Sequence, residues 1–216
     1  MPAPLPPFEA TDDTSVLAQT PRTRAVRRGD RGNHDVATIH AILDEAPVCH
    51  VGFIDGTDSP VPVVIPTVPW RVGDELLIHG SSASRMIRRL QSGGEACITV
   101  SLIDAWVLAR SGFNHSVNYR SVVLFGRPRL IDDETEKRAA LDALVEKIEP
   151  GRAAKVRPAN AQELKATAVL AFPIAEASAK IRSGPPCDDP EDMDLPVWAG
   201  VVPLSLVAGT PIRDGE

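Results

Sequence analysis

The chain has 216 residues, a net charge of −6, and 43% hydrophobic against 24% charged residues. That is enough for one good-sized core in a soluble globular protein. The charge excludes a nucleic-acid partner, whose phosphate backbone calls for a basic face. No apolar stretch approaches the ~20 residues of a bilayer span. The start, MPAPLPPFEATDDTS, has neither the basic nor the apolar region of a secretory signal. Cys49, Cys97 and Cys187 are few and scattered. The expectation is a cytoplasmic protein with reduced thiols, acting on a small molecule, with no membrane partner.

Residues 1–20 are rich in Pro, Thr and Asp and read as a flexible arm ahead of a single domain over 21–216. Arg22, Arg24, Arg27, Arg28 and Arg31 read as a solvated lead-in to the first helix. Asn33 or Asp35 can cap that helix, which runs to about Ala46 with Val36, Ile39 and Ile42 or Leu43 on one face. The β-branched runs 49–54 and 61–67 flank DGTDSP and predict a hairpin. Val72-Gly73-Asp74 is a turn into a third strand, Glu75 to His79. Ser82 or Ser84 caps a short helix that ends at Gly93-Gly94.

Residues 96–104 and 106–110 read as a strand pair. Residues 119–131 read as one strand with a bulge or a close-approach point at Gly126. Asp132 or Asp133 opens a long helix with Leu141, Leu144, Val145 and Ile148 inward. A short helix at 161–165, a strand at 167–175, an acidic Pro-rich loop at 183–196 and a last apolar segment at 198–206 complete the chain. Many hairpin strands with helices between only some of them predict an antiparallel barrel with peripheral helices.

The segment 76–85 carries the sharpest chemical signal. A strand ends on His79, Gly80, Ser81 and Ser82, then Ser84 and Arg85 open a helix. Hydroxyls, helix-start amides and a guanidinium together suit a phosphate. His79 reads either as an active-site group or as a structural hydrogen-bonding ring. Trp70 reads as a substrate-pocket wall or a rim aromatic. No His/Cys spacing fits zinc, so no metal site is expected.

In order, CHVGF (49–53), VIPTVPWRVGDELLIHGSSASR (64–85), the stretch 98–126, ELKATAVL (163–170), SAKIRSGPP (178–186) and LPVWAGVVPL (195–204) resemble the pyridoxamine 5′-phosphate oxidase-like FMN-binding flavoproteins, most closely the Nim-type (nitroimidazole resistance) branch. The resemblance implies a mainly β fold with peripheral α, an antiparallel split β-barrel of Greek-key type. It places the FMN phosphate on Ser81, Ser82, Ser84 and Arg85, with Arg120 or Ser121 adding to it. It runs Ile65, Pro66 and Thr67 along the flavin ring, with His79 facing the substrate as a candidate catalytic group. Trp198 would approach the flavin or pack an interface, and His115 is a second substrate-side candidate. It implies a homodimer and an oxidoreductase that reduces a small, planar, electron-poor compound of nitroaromatic type. The oxidase's own substrate-binding Arg/His set near the C-terminus is missing, since only Arg213 follows Trp198. The alternatives are a haem- or deazaflavin-binding barrel, with His79 or His115 as axial ligand, a non-catalytic flavin-binding protein, and a cofactor-free interaction module.

Overall fold

The computed structural model describes residues 15–56 and 58–215. The arm expected over 1–20 lies outside the described residues as far as residue 14. From Ser15 onward the backbone is bonded to the first helix start, with Val36 N–H donating to Ser15 O at 3.0 Å and Leu17 N–H to His34 O at 2.9 Å.

In chain order the elements are β1 (Gly32–Asn33), α1 (Val36–Glu45), β2 (Cys49–Asp55), β3 (Val61–Thr67), β4 (Trp70–Val72), β5 (Glu75–Ser81), α2 (Arg85–Gln91), β6 (Ala96–Leu108), β7 (Ser116–Gly126), β8 (Arg129–Leu130), α3 (Glu134–Ile148), α4 (Ala161–Ala166), β9 (Thr167–Pro173), β10 (Ala177–Arg182) and β11 (Gly200–Pro203). Every pairing with a defined register is antiparallel. One sheet runs β1-β10-β7-β6-β2-β3 and a second runs β4-β5-β9-β8. The fold is the mainly β, antiparallel split barrel with four helices that the resemblance implies.

The contacts divide the chain into two compact units. The first takes residues up to Ser101 with Ser121–Lys180. It holds the β4-β5-β9-β8 sheet, the four helices and the near part of the larger sheet. Val51, Ile98, Leu124, Leu76 and Ile78 are wholly buried there. A second cluster joins Trp70 and Leu77 to Ile131, Val169, Ala171 and, from α3, Ala140 and Leu144. Asp35 caps α1 through Thr38 N–H, and Asp133 caps α3 through Glu136 N–H at 2.8 Å. Two lysines of α3 satisfy the carbonyls left open at other helix ends. Lys147 Nζ donates to Ala46 O at 2.9 Å beside α1, and Lys137 Nζ to Leu164 O and Thr167 O beside α4.

The second unit, Leu102–Arg120 with residues from Ile181 on, is the far half of the β6–β7 hairpin with β11 paired to β6. It leaves Trp106, Phe113, Ile103 and Trp198 exposed.

Three expectations change. The predicted strand pair at 96–110 is one strand of 13 residues. Its buried positions are Ala96, Ile98 and Val100, then Ala105 and Val107, so the inward face switches without a chain reversal. Gly126 is not a bulge but the end of β7, after which Arg127-Pro128 leads into β8 of the other sheet. Ile148, expected inward, is exposed on the last turn of α3, and Ala140 takes a buried place instead.

Candidate functional site

β5 delivers its last residue, Ser81, opposite Thr167 of β9. A tight turn follows, closed by Ser84 N–H donating to Ser81 O at 2.8 Å and Ser82 N–H to Ala166 O at 2.9 Å. Helix α2 then packs on β5 at Gly80, where a Cβ would come within 3.1 Å of Ile87 Cγ1. Met86, Ile87 and Leu90 fix its inner face. Ser84 holds the cap position, yet its hydroxyl makes no cap bond. The first-turn amides of α2 and the hydroxyls of Ser82 and Ser84 are therefore open to an outside acceptor.

Arg85 is 63% exposed, and its Nε lies 3.3 Å from Asp55 Oδ2. One turn on, Arg89 Nε donates to Ile54 O at 2.8 Å. These contacts fasten α2 to the end of β2. Asp55 is in register with Val61, so Arg85 sits at the head of β3.

β3 is an end strand of its sheet. Pro62 and Pro66 have no N–H to give, which suits an edge strand. Pairing to β2 can run through Val61, Val63, Ile65 and Thr67, leaving the carbonyls of Pro62, Val64 and Pro66 toward the free edge. Four strand steps from Val61 to Ile65 cover about 13 Å. The edge around Pro66 thus presents an acceptor at roughly the reach of a ribityl phosphate from the Ser82–Arg85 turn.

His79 shares a face of β5 with Ser81, two residues or about 7 Å away. Its ring is half-buried and lies 5.7 Å from the Trp70 ring, centroid to centroid. Its Nδ1 is buried without a protein partner. Burial alone holds the imidazole below its ordinary pKa, so the ring is neutral at pH 7. Trp70 is 1% exposed and packs in the α3-side core, so it is not a rim aromatic. Its indole N–H has no protein partner either.

The other expected residues have contacts of their own. Arg120, in the second unit, closes its guanidinium on Asp104, with Nη2 donating at 2.7 Å. Ser121 donates to Lys180 O at 3.2 Å, on β10. His115 lies at the tip of the β6–β7 hairpin, with Nδ1 against Ser111 O at 2.9 Å. Trp198 is exposed and covers Gly200, where a Cβ would lie 2.8 Å from the indole.

Two groups escaped the sequence reading. Arg22 reaches Glu95 Oε1 at 2.9 Å and Glu176, and its guanidinium lies 4.7 Å over the Phe125 ring. Arg182 is 8% exposed and bonds Asn118 Oδ1 and the carbonyls of Gly184 and Pro185. The phrase SAKIRSGPP contains Arg182, but a buried arginine has no signal of its own in a single sequence.

The fold is that of an antiparallel split barrel with a serine-rich turn at a helix start. The profile of the pyridoxamine 5′-phosphate oxidase family matches residues 35–181, and the chain belongs to that family. It is 44% identical to the flavocytochrome Anf3 from Azotobacter vinelandii over 91% of this chain and 90% of that one, with a TM-score of 0.84. It is 38% identical to an FAD and haem binding protein from Mycobacterium smegmatis, over 86% and 90%, with a TM-score of 0.81. A putative 5-nitroimidazole antibiotic resistance protein from Bacteroides thetaiotaomicron matches at 25% identity over 69% and 86%, with a TM-score of 0.57. No curated protein matches the chain.

Proposed function

We propose that the chain is a flavin-dependent oxidoreductase that binds the phosphate nearest the ribityl chain, a group common to FMN and FAD, at Ser81, Ser82, Ser84 and Arg85. The observation that carries this reading is the combination of α2 amides with no side-chain cap and a largely exposed Arg85 guanidinium at the head of an edge strand. Bound flavin would supply hydride or electron transfer. The chain's own residues hold the phosphate, offer the Pro66 carbonyl to the ring edge, and place neutral His79 as a hydrogen-bonding or proton-carrying group two residues from the turn. The names of the relatives at 44% and 38% identity support a flavin. The nitroimidazole relative supports a small nitroaromatic acceptor. The exposed aromatic residues of the second unit support a homodimer. Free cysteines suit the cytoplasm.

A second reading adds a haem. The bond of His115 Nδ1–H to Ser111 O would leave Nε2 outward with its lone pair, which is how a metal-binding imidazole is oriented. Both relatives named for haem favour it. An absorption spectrum of the purified protein, with the cofactor released and identified by mass, tests both. Flavin peaks support the first reading, and a Soret band lost in His115→Ala supports the second. A colourless protein that takes up no added FMN or FAD refutes the first.

A further inference from the structure

The arginine run that reads as a solvated lead-in is built into the fold. We propose that Arg24, Arg27 and Lys180, with the hydroxyls of Ser121 and Ser178, form a second phosphate-binding site, which takes the phosphates of a nucleotide.

The segment that carries the arginines is pinned at both ends. On one side Thr20 Oγ1 donates to Glu176 at 2.6 Å, and Arg22 is tied to Glu95 and Glu176. On the other side β1 pairs with β10, Gly32 opposite Lys180. Between them the chain turns at Arg28, whose φ of 56° is left-handed. The segment lies beside a groove of about 230 Å3. Ser178 and Lys180 alternate along β10 and share a face, and Ser121 of β7 is bonded to the Lys180 carbonyl. Lys180 Nζ donates to Arg27 O at 3.4 Å and keeps further protons to give.

Among the described residues no carboxylate lines this groove, in a chain with a net charge of −6. Arg24 and Arg27 are exposed along it. Unneutralised cations interleaved with hydroxyls around a concavity are what a phosphate needs. Arg22 and Glu95, paired with each other, also line a neighbouring cavity of about 330 Å3, walled by Val64, Cys97 and Phe125 over Gly52. That mostly apolar space next to a phosphate groove fits a flat base, which selects a nucleotide over a bare phosphate.

Titration calorimetry of the full chain with ADP, pyrophosphate and adenosine tests the site. ADP should bind more tightly than pyrophosphate, and adenosine most weakly. In the Arg24→Gln/Arg27→Gln double variant both phosphate ligands should weaken by about 100-fold, about tenfold per lost charge-assisted contact. Arg152→Gln, an exposed arginine elsewhere, should change nothing. The flavin content of each preparation is measured alongside. Flavin kept while ADP binding is lost identifies a separate site for a soluble nucleotide. Flavin lost together with ADP binding overturns a separate site. ADP binding unchanged in the double variant, or weakened equally by Arg152→Gln, overturns the proposal. So does a wild-type chain that takes up no ADP. Absence of any flavin would refute the function proposed above and leave the ADP result standing.

Discussion

Replacing Arg85 by Gln separates cofactor binding from folding. The residue is 63% exposed, and its contact with Asp55 is an ion pair with Nε 3.3 Å from Oδ2. An exposed pair of that kind contributes about 0–1 kcal/mol to stability. For a chain of this size that is a fall in Tm of no more than about 4 °C. The exposed guanidinium, in contrast, would lose its charge-assisted bonds to a phosphate, about 1.5–3 kcal/mol. At 1.4 kcal/mol per factor of ten, flavin affinity should drop about 10- to 100-fold. Arg88→Gln removes a neighbouring positive charge from the same helix and should leave affinity within about twofold, apart from long-range attraction that salt screens. The assay is quenching of flavin fluorescence on titration with each variant, beside a thermal melt of the same sample. Unchanged flavin affinity in Arg85→Gln, or an equal loss in Arg88→Gln, would refute the placement of the phosphate at this turn.

Three further outcomes follow from the same structure. Burial lowers the folded pKa of His79 from 6.5, so between that lower value and 6.5 the unfolded chain binds the extra proton. Stability contributed here is therefore full above 6.5 and falls as pH drops, by up to about 1.4 kcal/mol per pH unit, and urea melts of His79→Gln should show a flatter slope between pH 6.5 and 5.5. Gly80→Val drives a side chain against Ile87, which a Cβ alone would approach to 3.1 Å, and should cost about 1–3 kcal/mol in denaturant melts while loosening the turn that follows. With a thiol reagent at pH 8, exposed Cys187 should react at once, whereas Cys49, wholly buried with its pKa pushed up to about 12, should react only after unfolding.

What was legible in the sequence is what depends on neighbours along the chain. The Asp35 and Asp133 caps, the β2–β3 hairpin and the Ser84 start of α2 are local patterns, and local chemistry decides them. The continuous β6 was misread because the strand changes its buried face between Val100 and Ala105, and a break in alternation looks the same as a break in the strand. Trp70 was misplaced for another reason. An aromatic beside a turn is ambiguous until α3, more than sixty residues later, is known to lie over it.

The site divides along the same line. Ser81 to Arg85 are contiguous, so one strand end and one helix start place them together, and the reading could be made from sequence alone. Arg120 and Ser121 were joined to them by resemblance only, and the fold gives each another partner, Asp104 and the Lys180 carbonyl. Ser121 instead meets Arg24, Arg27 and Lys180 around one groove, through a strand pairing that spans nearly a hundred and fifty residues. The arginines looked solvated because their companions are distant in sequence. In a chain of net negative charge, a concavity lined by cations and, among the described residues, by no carboxylate is a field that draws in anions. That is the physical reason to look for a nucleotide there rather than at the serine turn alone.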